Sequence, residues 1–134
     1  MRKGASLERS VTKLFEHYKQ KGIYCQQCHP RTLPDGKVVG KHGFDFFVLH
    51  DRLLTAFDAK ECVGDRWSLK NAKTHQTDAL LSISRNGGDG FYMVWFFKYK
   101  QLIKFPAEYV LNCGKKSLTP SDGEQIKLDF LGVL

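Results

Sequence analysis

Apolar residues near the start of the chain recur at helical spacing. The members of this stripe are Leu7, Val11, Leu14, Phe15 and Tyr18. Steps of three and four residues place side chains on one face of a helix, so the pattern predicts a helix over residues 6–20. Ser6 is a suitable N-cap for this helix, and Gly22 is a suitable residue just beyond its end.

Alternating or continuous apolar runs predict the strands of a sheet. These runs cover residues 22–25, 44–48, 53–60, 91–97 and 101–105. The run at 91–97 is almost entirely aromatic and aliphatic, which is typical of a central strand buried on both faces. His50, Asp51 and Arg52 separate the second and third runs and predict a tight turn between antiparallel strands.

Polar and helical segments complete the pattern. Residues 30–40 contain prolines, glycines and an Asp-Gly pair, and they predict an extended loop or a small hairpin. Helical spacing recurs over residues 70–84, and Pro106 begins a further short helix. This order of elements predicts an α/β fold with a mixed sheet flanked by helices.

We expect one domain over residues 1–134, because the length suits a single compact unit. Its core is predicted at residues 6–112. The segment at 113–134 has a mixed pattern and is predicted to be an irregular tail.

The composition is that of an ordinary globular protein, with 42% hydrophobic and 26% charged residues. No run approaches the roughly 18 apolar residues of a membrane span, and the first residues lack the apolar core of a signal peptide. We therefore expect a cytoplasmic protein without membrane attachment, in the host cytoplasm if a phage encodes it. The net charge of +7 favours a polyanionic partner such as nucleic acid, although a basic surface also serves solubility alone.

The four cysteines do not form the pattern of a disulfide-rich domain, so we expect them to be reduced. Cys25, Cys28 and His29 form a C-x-x-C-H motif. A c-type haem would require export, and a zinc site would require two further ligands without a second paired motif. The role of this pair stays open.

Two aspartates lie symmetrically about the predicted turn. Asp45 and Asp58 are 13 residues apart, and their midpoint falls between Asp51 and Arg52. Residues placed in this way face each other across an antiparallel hairpin, so we expect the two carboxylates to meet. Lys60 follows Asp58 by two residues, which places both side chains on the same face of the strand.

This trio of Asp45, Asp58 and Lys60 predicts a metal-dependent hydrolytic site. Adjacent carboxylates repel unless a proton or a cation lies between them, and their oxygens suit Mg²⁺. Such an ion polarises a phosphodiester and activates water, while a lysine offsets charge that develops on the phosphate. The alternative is a surface ion pair of Asp58 with Lys60 beside a turn aspartate.

The same residues resemble the PD-(D/E)xK nuclease superfamily, in which an aspartate is followed by a second acid and, two residues later, a lysine. More narrowly, residues 6–111 resemble the RecU-type Holliday junction resolvases. The matching segments are Ser6-Leu7-Glu8, Gly43-Phe44-Asp45-Phe46, Phe57-Asp58-Ala59-Lys60-Glu61, His75-Gln76 with Leu80, and the strand pair at 90–97 and 102–105. Asp58 stands where that family has glutamate, and residues 25–43 are much shorter than the stalk insertion found there.

The resemblance implies a restriction-endonuclease-like fold and a homodimer that binds four-way DNA junctions. It implies nicking of two opposing strands with Mg²⁺ or Mn²⁺ as cofactor. By position, it implies Asp45 and Asp58 as metal ligands, Lys60 as the catalytic lysine and Gln76 as a supporting polar group of the active site. Glu8 is implied as a further metal ligand from the first helix.

Basic residues on both sides of the acids are candidates for contacts with the DNA backbone. They are Arg31, Lys37 and Lys41 before the first aspartate, and Arg66, Lys70 and Lys73 at the start of the second predicted helix. We expect both groups to flank the carboxylates. The alternative is a solvated basic surface.

Three functions remain open from the sequence. The first is an endonuclease that resolves four-way junctions by paired nicking, in which a two-fold dimer matches the symmetry of the junction. The second is another nuclease of the superfamily that acts on duplex, nicked or branched DNA. The third is a DNA-binding module that has the same fold and no catalytic activity.

Overall fold

The computed structural model describes residues 5–29, 31–39 and 43–134. Its helices are α1 (Ala5–Gln20), α2 (Thr74–Arg85) and α3 (Ala107–Asn112). Its strands are β1 (Tyr24–Gln27), β2 (Arg31–Thr32), β3 (Val38–Val39), β4 (Phe46–His50), β5 (Leu53–Cys62), β6 (Trp67–Ser68), β7 (Asp89–Phe96), β8 (Gln101–Pro106), β9 (Ser117–Leu118) and β10 (Glu124–Gln125). No helix within the described ranges is long and apolar enough to cross a membrane.

A mixed six-stranded sheet forms the centre of the fold, in the order β1-β4-β5-β7-β8-β10. Strands β5 and β7 run parallel, whereas the other neighbours in this sheet run antiparallel. Helix α2 lies between β5 and β7 in the chain and supplies the crossover that a parallel pair requires. The predicted mixed sheet with flanking helices is therefore present.

Two apolar cores cover the faces of this sheet. Helix α1 packs on one face against Phe46, Phe57 and Phe91, while α2 and α3 pack on the other face around Trp67 and Tyr92. Strand β7 is buried along nearly its whole length, as its unbroken apolar run predicted. Burial on both faces fixes the register of β5 and β7, because a slip by one residue would exchange the two sets of side chains.

Two glycines allow α2 to approach the sheet beside the β4–β5 hairpin. A Cβ atom on Gly90 would lie 2.1 Å from the Leu80 carbonyl oxygen, and one on Gly43 would lie 2.1 Å from the Ala79 Cβ. Those distances are far below van der Waals contact, so glycine is required at both positions. The close packing of α2 places its first turn near the hairpin that carries the two aspartates.

Some predicted boundaries are wrong. Ser6 lies inside α1 and is not its N-cap, and β1 begins at Tyr24 rather than at residue 22. The second helix begins at Thr74 rather than at residue 70, because Leu69–Asn71 form a separate 3₁₀ turn. The Lys70 backbone N–H donates to the Ser68 hydroxyl, 3.3 Å away, which caps this turn. The polar segment before the hairpin does contain a small hairpin of its own, β2–β3.

The C-terminal segment, predicted to be irregular, is joined to the sheet. It contains β9, a 3₁₀ turn at Pro120–Asp122 and β10, which pairs with β8. Beyond β10, alternate apolar residues pack against the core beneath α1: Ile126, Leu128 and Phe130. The Tyr18 hydroxyl donates to Asp129 Oδ1 at 2.7 Å, so the end of the chain also holds α1 in place.

Candidate active site

The β4–β5 hairpin places the two aspartates opposite each other. Its turn consists of Asp51 and Arg52, both with positive φ, and it sets the pairing of Phe46 with Phe57. Asp45 lies one residue before β4, and its N–H donates to the Phe57 carbonyl at 3.2 Å, one residue out of step with the β4–β5 register. Its carboxyl group nevertheless lies beside that of Asp58 and raises the pKa of Asp58, so the two acids meet as the sequence spacing predicted.

The Asp45 carboxylate is held against β5. Its Oδ2 accepts a hydrogen bond from the Ala59 backbone N–H at 3.1 Å. This contact fixes the orientation of Asp45 at the edge of a cleft and leaves its other oxygen for a ligand.

Asp58 is almost completely buried, with 1% of its surface exposed. Lys60 Nζ lies 2.9 Å from Asp58 Oδ2, yet neither carboxylate oxygen accepts a hydrogen bond of normal geometry from the described residues. We therefore regard the contact as an ion pair by distance rather than an aligned hydrogen bond. A buried carboxylate without hydrogen bonds is unfavourable and indicates a missing proton or cation.

The pKa of Asp58 reflects this environment. The pKa of Asp58 is raised from its ordinary value of 3.8 to about 7, first by burial and second by the charge of Asp45, while Lys60 opposes both effects. Near neutral pH a metal ion would therefore compete with a proton for the Asp58 carboxylate.

Glu61 joins this strand to α1, a role that the sequence analysis did not assign. Its side chain is 8% exposed, and its Oε1 accepts a hydrogen bond from the Leu7 backbone N–H at 2.7 Å. A carboxylate at the first turn of a helix also interacts favourably with the helix dipole. Glu61 therefore fixes the position of Glu8, the next residue of α1.

Glu8 lines a cleft of about 240 Å³ together with Asp45 and Lys60. The residues around this cleft are Glu8, Asp45, Ala59, Lys60, Glu61, Trp67, Asn71 and Lys73. Within the described ranges, no three side chains of His, Cys, Asp or Glu lie close enough to form a ready-made metal site. Glu8, Asp45 and Lys60 thus lie on the wall of the cleft, and the buried Asp58 lies behind this wall, in contact with Lys60.

The donor set fits a hard divalent cation. Asp45 and Asp58 present carboxylate oxygens, and Asp58 has no hydrogen-bonding partner for either oxygen among the described residues. Mg²⁺ commonly uses one or two carboxylates and completes its shell with water and phosphate oxygens, so two aspartates at an open cleft suffice. The roles of these residues remain predictions.

Gln76 makes a helix-capping contact in this structure. Its Oε1 accepts a hydrogen bond from the Lys73 backbone N–H at 3.2 Å, at the first turn of α2. This contact orients Lys73, which is exposed and lines the cleft. Gln76 itself is half-buried and is absent from the residues that line the cleft.

The other predicted DNA contacts are spread more widely. Lys70 is exposed on the 3₁₀ turn, and Lys37 is exposed beside the β2–β3 turn. Arg31 lies on β2, and Lys41 lies outside the described residues.

Arg66 lies in a basic cluster that the sequence analysis did not identify. Pairing of β6 with β9 brings it beside Lys115 and Lys116 at a shallow depression. Lys115 forms an ion pair with Asp122 and lowers the pKa of that carboxyl to about 2. Two-residue strands carry no periodic signal, so this juxtaposition was not visible in the sequence.

All four cysteines are free. Cys25 is buried, and its thiol contacts the Phe15 carbonyl at 3.6 Å. Burial raises the pKa of both Cys25 and Cys28, so these thiols are protonated at neutral pH.

Comparison with known proteins gives consistent matches. Residues 2–131 match the family described as recombination protein U (RecU). The chain is 24% identical over 140 residues to the Holliday junction resolvase RecU of Mycoplasmopsis pulmonis (strain UAB CTIP), covering 98% of this chain and 89% of that protein.

A solved structure has the same fold. Hjc of Archaeoglobus fulgidus, a Holliday junction resolvase from an archaeal hyperthermophile, superposes with a TM-score of 0.58 and 13% sequence identity. The match covers 88% of this chain and 94% of that chain. The α/β fold with a restriction-endonuclease-like sheet is therefore confirmed.

Proposed function

This chain belongs to the RecU family, and we propose that it is a structure-selective endodeoxyribonuclease that resolves four-way DNA junctions by nicking opposing strands. The activity depends on Mg²⁺ or Mn²⁺. The observation that carries the proposal is the buried Asp58, which lies beside Asp45, forms an ion pair with Lys60 and accepts no aligned hydrogen bond from the described residues.

Asp45 and Asp58 would hold the metal ion, and Glu8 would contribute from the wall of the cleft. When bound, the ion would polarise the phosphodiester and supply an activated water. The Ala59 N–H keeps the Asp45 carboxylate at the edge of the cleft, and the Glu61–Leu7 hydrogen bond keeps Glu8 there.

Lys60 provides the positive charge that the reacting phosphate needs. Its side chain is 22% exposed and lines the cleft, and its Nζ lies 2.9 Å from Asp58 Oδ2. In this position Lys60 stabilises the negative charge that develops on the phosphate oxygens. Gln76 is a positioning residue, because it fixes the first turn of α2 and thereby Lys73.

The exposed basic residues hold the DNA arms. Lys73 and Lys70 lie closest to the cleft, Arg66 lies in the cluster with Lys115 and Lys116, and Lys37 lies on the β2–β3 hairpin. Arg31 and Lys41 are proposed to contact the DNA arms as well, on the basis of their positions in the sequence. These side chains neutralise phosphates, so they contribute affinity rather than sequence preference.

We further propose that the enzyme acts as a homodimer, in the cytoplasm. A four-way junction has two-fold symmetry, and two opposing nicks require two active sites related by the same symmetry. One chain has one acidic centre of this kind within the described residues.

The test is cleavage of a synthetic four-way junction that carries a label on one strand at a time, with and without Mg²⁺. The proposal predicts metal-dependent nicks at symmetric positions in one pair of opposing strands. Cleavage of linear duplex at an equal rate would favour a nuclease of broader substrate range. Salt-sensitive binding without any metal-dependent product would identify a DNA-binding module instead.

The matched variants are Asp58→Asn and Asp78→Asn. Asp78 is exposed on α2 and does not line the cleft, whereas Asp58 is buried directly behind the cleft, 2.9 Å from Lys60 Nζ. We expect Asp58→Asn to lower the rate of cleavage by at least about 100-fold, which corresponds to about 2.7 kcal/mol of activation free energy. It should bind the junction at least as tightly as the wild type, because a negative charge near phosphate has been removed. Asp78→Asn should cleave at the wild-type rate.

A further inference from the structure

The turn between β7 and β8 exposes aromatic rings among lysines. It consists of Phe97, Lys98, Tyr99 and Lys100, and we refer to it as the 97–100 turn. Phe97 and Tyr99 are 41% and 45% exposed, and Lys98 Nζ lies 5.5 Å from the centre of the Tyr99 ring. Exposure of large rings to water is unfavourable, so aromatic residues clustered at one turn indicate a binding surface.

This turn lies close to the candidate active site. The Phe97 backbone N–H donates to the Cys62 carbonyl at 3.0 Å, which ties the turn to the end of β5. Lys60 lies two residues before Cys62 on the same strand, so the backbones of Lys60 and Cys62 are roughly 7 Å apart along the strand. The turn is therefore attached to the end of the strand that carries Lys60, within reach of a DNA branch bound at the cleft.

A pocket of about 370 Å³ lies beside the turn. Trp95 and Lys100 line one side of this pocket, and Leu7 of α1 lines another. Leu7 is adjacent to Glu8, which lines the active-site cleft, so the first turn of α1 separates the two cavities. Among the described residues around the pocket, Lys100 is the one charged group. The volume of the pocket lies in the range of pockets that hold small ligands.

Aromatic rings, a pocket with both apolar and polar walls, and lysines are a combination that binds a nucleotide without reading its sequence. Bases stack on aromatic side chains, and lysines contact the phosphates. We propose that the 97–100 turn and the pocket beside it receive an unstacked nucleotide from the branch point of the DNA, next to the phosphate that is cleaved. This inference rests on the proposed function and names the feature by which the enzyme distinguishes a junction from a continuous duplex.

Charge favours DNA over a second copy of the chain at this surface. A two-fold contact through the turn would bring Lys98 and Lys100 of one copy toward the same residues of the other, and like charges at an interface are unfavourable. A continuous duplex also offers little to the turn, since its base faces are hidden in the stack. A branch point exposes them.

The first experiment locates the base. A four-way junction with 5-iodouracil at the branch point is bound to the full-length protein in chelator and irradiated, and the cross-linked peptide is identified by mass spectrometry. We expect cross-links to Phe97 or Tyr99. The same base placed in the middle of an arm is the control and should give no cross-link to these residues. Cross-links of the branch-point base exclusively to other regions would overturn the proposal.

The second experiment measures affinity with matched variants. Tyr99→Leu keeps an apolar side chain but removes the ring. Tyr24→Leu makes the same change at a tyrosine that is 57% exposed on β1, an edge strand that β4 and β5 separate from β7. We expect Tyr99→Leu to weaken junction binding by about 5-fold or more, as the loss of one base–aromatic contact predicts. Its affinity for linear duplex should not change, and Tyr24→Leu should leave both affinities unchanged.

Other outcomes would contradict the inference. An equal loss on junction and duplex would make the turn a general backbone contact. A change of sedimentation coefficient in Tyr99→Leu would make the surface an interface between copies of the chain. Failure of the inference is distinguishable from failure of the proposed function, because the wild-type protein would still cleave junctions with Mg²⁺ in the first case and would not in the second.

Discussion

Glu61 and Leu7 are 54 positions apart in the chain, yet the Glu61 carboxylate accepts a hydrogen bond from the Leu7 backbone N–H at 2.7 Å. The contact joins the strand that carries Asp58 and Lys60 to the first turn of α1. Because Glu61 is buried, its carboxylate has little access to water as a hydrogen-bond donor. The contact also gives a partner to one of the N–H groups that have no acceptor within the first turn of a helix. One residue thus supports both the fold and the position of Glu8.

We predict that Glu61→Ala lowers the free energy of unfolding by about 2–3 kcal/mol, because a charge-assisted hydrogen bond is lost and a buried N–H is left without a partner. Glu61→Gln should cost less, about 1 kcal/mol, since the amide oxygen can still accept the hydrogen bond. Urea denaturation at neutral pH measures both. Glu16→Ala is the control, because Glu16 is exposed on α1. Equal stability of all three variants would show that the Leu7 contact contributes nothing.

The raised pKa of Asp58 predicts how stability changes with pH in the metal-free protein. The folded pKa is about 7 and the ordinary value is 3.8, so the folded state holds a proton that the unfolded state has already lost. This contribution to stability is fully present below about pH 4 and is lost as the pH rises through about 7. The loss amounts to up to about 4 kcal/mol.

Asp58→Asn cannot titrate at this position, so its stability should not fall in this way. We expect the free energy of unfolding of the variant to rise relative to that of the wild type from about pH 4 to 7. Above that range the difference between the two proteins should stay constant. Urea denaturation in the presence of a chelator, at several pH values, measures it. Parallel pH profiles for the two proteins would mean that Asp58 has an ordinary pKa.

The sequence was informative wherever the relevant residues are close together in the chain. Symmetric spacing about Asp51 and Arg52 was enough to predict that Asp45 and Asp58 meet, because a two-residue turn fixes the register of β4 against β5. The unbroken apolar run of β7 similarly indicated a central strand.

Contacts between distant segments were not predictable in this way. The Leu7–Glu61 hydrogen bond and the packing of Phe130 against the core under α1 are tertiary contacts between segments that are far apart in the sequence. The basic cluster around Arg66 depends on β6 and β9, which have two residues each and show no periodicity. The sequence shows Glu61 directly after Lys60, but it does not predict that the Glu61 carboxylate binds the Leu7 N–H.

Metal binding should stabilise the folded protein through the two aspartates. Ligands that bind only the folded state raise its stability, by about 2.7 kcal/mol when present at 100 times their dissociation constant. At about pH 8, where Asp58 has lost its proton, we expect added Mn²⁺ or Mg²⁺ to raise the melting temperature of the wild type and of Asp78→Asn. The melting temperature of Asp58→Asn should stay the same. An equal rise in all three proteins would place the ion elsewhere.

Arg66 is predicted to act on DNA through charge alone. It is exposed beside Lys115 and Lys116 and does not line the active-site cleft. Arg66→Gln should therefore weaken binding to junction and duplex by the same factor and reduce the dependence of log affinity on log salt concentration by about 1, as expected for one phosphate contact. Cleavage of bound junction should continue at the wild-type rate in single-turnover assays with saturating protein. Arg52→Gln, at the far end of the β4–β5 hairpin, is the matched control, and an unchanged salt dependence in Arg66→Gln would remove this cluster from the DNA path.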